Sequence, residues 1–341
     1  LLRAAAFYEK QNIEVKTSTS VTEINPQNST IKIDDREDLS FEHLLIATGS
    51  RVRKINVSGS ELDNIHYLRT IEDVDRIRSG MVKDKQLVIV GGGYIGLEVA
   101  AIATQAGMNV RVLETEDRVL QRVTTPTMSN YYTRLHEKRG VRIHTKTRVI
   151  GFEGESSVER VICENDVFDA DLVIVGIGII PNSELAEKAG IACENGITVD
   201  ERCQTSIPQI YAAGDCTNHP NPLLNRRLRL ESVPNAMEQA RVCASNMVGK
   251  DKIYSSIPWF WSDQYELKLQ MVGFSSDGDS EIIRGDMDAN QFSVFHVKEN
   301  KVMAADSVNS PKDFMICKQL IGKEVDLDKL PDESFELKSM L

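Results

Sequence analysis

Hydrophobic residues are distributed along the chain in two ways, and each predicts a different kind of element. Residues 87–90 and 172–175 both read LVIV, and residues 41–50 read FEHLLIATGS. Short β-branched runs of this type suit strands buried on both faces of a parallel sheet. Residues 12–16, 20–24 and 30–33 instead alternate, with Asn25-Pro26-Gln27-Asn28 as a turn between the last two, and predict a small β-meander. Residues 149–153, 158–163 and 167–168 predict a second one. Helical spacing marks residues 1–11, 71–78, 94–105, 127–139, 183–190 and 234–248, several of them stopped by a glycine. Further short strands are expected at 109–113, 141–143, 197–199 and 210–212. Beyond Lys250 the pattern changes to antiparallel-type strands at 267–274, 282–284, 291–297 and 302–308, with a covering helix at 311–321, which predicts a separate α+β domain.

Between the strands at 87–90 and 109–113 lies the most informative turn. Gly91, Gly93 and Gly96 have G-x-G-x-x-G spacing and are followed by a helix, a second strand and then Glu114. The first glycine permits the tight turn, the second lets a pyrophosphate approach the backbone, and the third allows close packing of helix on strand. The free N–H groups of the helix start, including those of Tyr94 and Ile95, face the phosphates, and an acid about twenty residues on accepts hydrogen bonds from a ribose. Glu114, Glu116 and Asp117 would repel a 2′-phosphate before Arg118 appears, so NADH is favoured over NADPH. A glycine-rich turn in an unrelated α/β protein is the alternative.

Three other strand ends have the small residues that let a ligand lie against backbone. They are Ala47-Thr48-Gly49, Gly176-Ile177-Gly178 and Gly214-Asp215. The Gly176–Gly178 stretch suits a nicotinamide, and the Asp215 carboxylate suits the hydroxyls of a polyol; a plain turn and a helix cap are the competing readings. Ser232 and Pro234 mark the start of the next helix, whose N-terminus carries partial positive charge.

The chain has 341 residues and net charge −11, with pI near 5.2. That is enough for two or three domains and argues against a nucleic-acid surface. No apolar run approaches a bilayer span and no leader pattern opens the chain, so a cytoplasmic location is expected. Six cysteines without a C-x-x-C suggest scattered reduced thiols and no metal site. The opening Leu-Leu-Arg reads as the start of a fragment.

Taken together, ATG at 47–49, GGGYIGLE at 91–98, VGIGIIPN at 175–182, YAAGDC at 211–216, RLRLESVPNAMEQA at 227–240 and PWFWSDQY at 258–265 resemble the FAD-dependent ferredoxin reductases. These are reductases of the putidaredoxin, rhodocoxin and biphenyl-dioxygenase type, within the pyridine nucleotide-disulfide class. The tryptophan-rich stretch is the specific part of the likeness. The resemblance implies an FAD domain interrupted by a Rossmann-like NAD domain and followed by a C-terminal α+β domain. The corresponding bounds are 1–50 and 182–257 for FAD, 51–181 for NAD, and 258–341 for the C-terminal domain.

It further implies that Thr48, Gly214, Asp215, Ser232, Val233 and Trp261 belong to a flavin site. Gly91, Gly93, Tyr94, Ile95, Gly96, Glu114, Gly176 and Gly178 would hold NAD(H), with Glu98 beside the nicotinamide. Glu98 and Trp261 are the candidate catalytic residues. The implied activity passes electrons from NADH through FAD to a [2Fe–2S] ferredoxin, with Arg226, Arg227 and Arg229 as a candidate docking cluster. One departure stands out: this sequence has a single G-x-G-x-x-G, assigned to NAD, where the family carries another for the ADP half of FAD. A disulfide reductase or NADH oxidase of the same superfamily remains open as an alternative. So does an NADH-binding interaction protein resembling apoptosis-inducing factor.

Overall fold

The computed structural model describes residues 3–341 and divides into two compact units. The second comprises residues 50–180, 232–235 and 255–341. At its centre is a five-stranded parallel sheet in the order Ile65–His66, Leu172–Val175, Gln86–Val90, Asn109–Leu113, Arg142–His144. The two LVIV runs lie side by side, Leu172 opposite Leu87 and Val175 opposite Val90. Leu87, Ile89, Leu172 and Ile174 face one core, while Val88, Val90, Val173 and Val175 face the other. A strand buried on both sides has no polar face to alternate with, which explains the unbroken apolar runs.

The first of these cores continues into the C-terminal domain. Leu267, Leu269, Met271, Phe292 and Val294 belong to the same cluster as Leu97, Ala100, Met128 and Tyr132 on the helices Tyr94–Gln105 and Pro126–Lys138. These C-terminal residues come from a five-stranded antiparallel sheet, ordered Trp259–Gln264, Leu267–Gly273, Lys301–Val308, Gln291–Lys298, Ser280–Asp286. Its other face packs under the helix Pro311–Leu320 through Val272, Phe295, Phe314 and Leu320. The antiparallel sheet is thus covered on both faces, which accounts for buried residues at successive positions 292–297.

The first unit comprises residues 1–49, 181–231 and 236–254. It pairs Leu44–Ile46 with Ile210–Ala212 in parallel, and Ile197–Thr198 with Thr217–Asn221 likewise, beside the meander Val21–Asn25, Thr30–Ile33, Glu37–Ser40. The helix Val233–Met247 contributes Ala240, Val242 and Cys243 to the cluster beneath Tyr211 and Ala213.

Several expectations are corrected. Residues 12–16 form no strand, and Ile13 and Val15 are exposed; alternation without a pairing neighbour does not make a ladder. The stretch 41–50 is cut by Gly49, at φ 63°, into Leu44–Ile46 and Ser50–Val52, and the latter turns away to pair with Ile179–Pro181. The hairpin Thr217–Asn221 and Arg226–Leu228 is an addition to the sequence reading. The opening helix runs Ala5–Lys10, while residues 1–2 of the expected one lie outside the described part.

Candidate functional site

Gly91 leaves its strand at φ 112°, and a Cβ there would stand 2.4 Å from the Gly176 carbonyl oxygen. The bare α-carbon therefore brings the first glycine of the turn against the Gly176–Gly178 stretch at the end of the neighbouring strand. Gly96 serves the packing of the helix, since its Cβ would meet the Gly91 carbonyl at 2.2 Å. At Gly93 a Cβ would have no atom within 4 Å. Gly93 is also the N-cap of Tyr94–Gln105 and offers no side-chain cap, so the first N–H groups of the helix face open space.

An anion fits that opening: uncapped amides, the positive helix end and a glycine whose missing side chain clears the approach. Glu114 closes the other side. Its Oε2 accepts the Gly92 N–H at 2.7 Å and its Oε1 accepts that of Glu116 at 2.9 Å, which fixes the carboxylate beside the turn. Arg118, the next cation along the chain, donates to the Ser129 hydroxyl and the Gln121 carbonyl. Ile95 is half exposed at the helix start and Gly178, at φ 102°, has no neighbour where a Cβ would stand.

Glu98 stands one helical turn beyond Tyr94. Its Oε1 accepts the Ser262 hydroxyl at 2.6 Å, from the strand Trp259–Gln264. Burial raises its pKa, while the Ser262 hydroxyl and the Asp263 backbone N–H oppose that shift by stabilising the charged form. The same strand face sets Phe260 edge-on to Tyr94, with centroids 5.5 Å apart. Trp261 lies on the opposite face, 44% exposed, and its ring is tilted against Trp259 at 5.8 Å. Alternation along one strand thus gives Phe260 and Ser262 to the helix Tyr94–Gln105, gives Gln264 to Pro126–Lys138, and leaves Trp261 outward.

In the first unit, Ala212 pairs with Ile46, so the loops holding Thr48 and Gly214-Asp215 leave the carboxyl ends of adjacent parallel strands together. Gly214 is at φ 86°, and its N–H donates to Gln239 at 2.8 Å. Thr48 donates its hydroxyl to the Asn182 carbonyl at 2.6 Å. In the second unit, Ser232 caps its helix, accepting the Asn235 N–H at 3.3 Å, and Val233 beside it is exposed. Thr48, Gly214 and Asp215 suit the ring and ribityl half of a flavin, where small residues and a carboxylate converge at strand ends. The G-x-G-x-x-G spacing occurs once in this sequence, at Gly91, Gly93 and Gly96.

The arginine cluster is not a free patch. Arg227 donates to Asn218 and the Val199 carbonyl, and Arg229 to Glu231 and Asn195.

Residues 3–240 match the family model described as pyridine nucleotide-disulphide oxidoreductase. The chain belongs to that family. Residues 259–341 match the reductase C-terminal model. Putidaredoxin reductase from Pseudomonas putida is 45% identical, with 100% of this chain and 83% of the relative covered. Rhodocoxin reductase from Rhodococcus erythropolis is 37% identical, covering 99% and 80%. Among solved structures, a covalent putidaredoxin reductase–putidaredoxin complex has TM-score 0.94 at 44% identity, covering 99% of this chain and 84% of the other. The ferredoxin reductase for the CYP199A2 system from Rhodopseudomonas palustris has TM-score 0.96 at 36% identity, covering 99% and 85%.

Sequence reasoning missed Ser262, Gln264, His136 and Tyr265, which join Glu98 in one buried polar chain. Apart from Gln264 and Ser262, the partners are over a hundred residues apart in sequence, and only the period-two pattern of the tryptophan strand hinted at a second face.

Proposed function

We propose that this protein is an NADH-dependent ferredoxin reductase, taking electrons from NADH and passing them singly to a [2Fe–2S] ferredoxin. Bound FAD would supply the conversion of a two-electron donor into two one-electron transfers. The observation that carries the reading is the Glu98–Ser262 contact. It fastens the tryptophan strand of the reductase C-terminal domain directly onto the helix that follows the nucleotide-binding glycines.

In this reading Gly91, Gly93 and the helix start receive the pyrophosphate. Glu114 accepts the ribose hydroxyls, and Glu98 accepts the carboxamide N–H of the nicotinamide beside Gly176 and Gly178. Thr48, Gly214, Asp215, Ser232 and Val233 line the flavin half-site, with Trp261 as the aromatic for the ring. The domain bounds read from the sequence go with these assignments. No helix among the described residues is long and apolar enough to cross a membrane; the assignment is to a cytoplasmic electron-transfer component. The relatives named as reductases of putidaredoxin and rhodocoxin support a small iron–sulfur protein as acceptor. The internal partners of Arg227 and Arg229 make them supports of the hairpin, so docking at that cluster would rest on whole-surface charge.

The test is anaerobic reduction of a [2Fe–2S] ferredoxin by NADH, followed by bleaching of the cluster's visible absorbance, with FAD supplied. Cluster bleaching that depends on both NADH and this protein is expected. Oxygen or a disulfide being reduced while the ferredoxin stays oxidised would reject the proposal.

A further inference from the structure

Glu98 is the end of a longer hydrogen-bonded chain. The Ser262 hydroxyl donates to Glu98 at 2.6 Å, and the Gln264 side-chain nitrogen lies 3.1 Å from Ser262 Oγ. Gln264 Oε1 is 2.9 Å from His136 Nε2, and the Tyr265 hydroxyl is 3.1 Å from His136 Nδ1. Ser262, Gln264 and His136 are all fully buried.

One anchor fixes the direction of the whole chain. An ionised carboxylate only accepts, so Ser262 must give it the hydroxyl proton and can then only accept from Gln264. Gln264 must therefore point its amide nitrogen at Ser262 and its carbonyl at His136. That carbonyl requires a proton on His136 Nε2, which leaves Nδ1 to accept from Tyr265. Every donor points toward Glu98, and each group has one orientation that satisfies it.

The far end is held as firmly. Tyr265 adopts φ 57° in the two-residue turn between its strands, an expensive conformation for an aromatic residue. Arg139 lies over its ring at 4.9 Å and pairs with Glu266 next to it. Burial lowers the His136 pKa, which keeps the imidazole neutral and in the Nε2–H form that the chain needs.

We propose that His136 and Gln264 are positioning residues for the nicotinamide: through Ser262 they hold the Glu98 carboxylate ionised and aimed at the carboxamide. This rests on the assignment of Glu98 made under the proposed function. Neither residue need touch the nucleotide.

The test compares the affinities of NAD+ and ADP-ribose for the full chain by titration calorimetry, because ADP-ribose retains the pyrophosphate and lacks the nicotinamide. His136→Leu and Gln264→Leu should each weaken NAD+ about 5- to 10-fold and leave ADP-ribose within about twofold. His136→Gln should restore NAD+ affinity, since its amide N–H can take the place of the Nε2–H. Equal losses for both ligands would mean general damage, and unchanged NAD+ binding would mean no coupling; either result overturns the proposal. Glu98→Ala separates the two levels of inference. A selective NAD+ loss there without one in the His136 and Gln264 variants sinks the relay alone, whereas no loss in Glu98→Ala sinks the Glu98 assignment and the relay with it.

Discussion

The two units contain the same device at different degrees of completeness. In one, five parallel strands end together around a glycine turn, an uncapped helix and the Glu114 carboxylate, all within the unit's own residues. In the other, two parallel strands lead into Thr48-Gly49 and Gly214-Asp215, and neither end has the G-x-G-x-x-G spacing. Parallel strands are covered on both faces by their crossovers, and a wider sheet sets more strand ends along one edge. The five-stranded unit brings a glycine turn, a helix start and an acid to one sheet edge, whereas the pair brings together the Thr48 and Gly214-Asp215 loops. A nucleotide site is thus a property of a sheet edge with its helix, and single motifs such as Ala47-Thr48-Gly49 are fragments of one.

The comparison breaks most visibly at Gly91. Alanine there, at φ 112° and with its Cβ 2.4 Å from the Gly176 carbonyl, should cost about 2–4 kcal/mol and abolish saturable NADH binding. Denaturant melts with a titration alongside would check both effects, and the melt of the first unit should be spared.

Acid should act on the other unit. His219 is fully buried, and neither ring nitrogen has a partner; burial, with Arg227 adding to it, pulls its pKa from 6.5 down to about 4. Its folded pKa lies below its unfolded one, so the unfolded chain binds the proton more tightly. The stability contribution is whole above about pH 6.5 and is lost as pH falls toward 4, by about 3 kcal/mol. His219→Phe, with the ring still edge-on to Tyr254, should flatten this pH dependence in urea melts between pH 7 and 4.

Smaller effects sharpen the contrast. Gly214→Ala, at φ 86° with ordinary van der Waals distance to Ala236, should cost about 1–2 kcal/mol from backbone strain. It should lower flavin uptake, read from absorbance after FAD addition, and leave NADH affinity alone. Gly93→Ala should do the reverse of a folding defect. Nothing in the protein opposes its Cβ, so stability should stay within about 0.5 kcal/mol while NADH binding weakens at least about tenfold, the methyl occupying the space of the phosphates.

Much of the second unit was legible because local rules and tertiary structure agree there. Tyr94–Gln105 and Asn109–Leu113 fall where the glycine stops and apolar periods put them, and Leu172–Val175 is where its apolar run puts it. The first unit was harder to read. Its strand Glu37–Ser40 is polar and fully exposed, visible only through its pairing with Thr30–Ile33. The hairpin strand Thr217–Asn221 gave no signal because its buried residues are Thr217, Asn218, His219 and Asn221, polar groups that no hydrophobic period detects. The relay behind Glu98 was invisible for a related reason: its members are satisfied by one another, and that is a fact of packing between Pro126–Lys138 and Trp259–Gln264.

The central claim is that the glycine turn, its helix start and Glu114 form an NADH site complete within one unit. Equilibrium titration of the full chain with NADH and then NADPH, read by nucleotide fluorescence, tests it most directly. One saturable NADH site per chain is predicted, with NADPH at least about tenfold weaker because Glu114, Glu116 and Asp117 oppose its extra phosphate. Absence of saturable NADH binding, or equal affinity for NADPH, would contradict it.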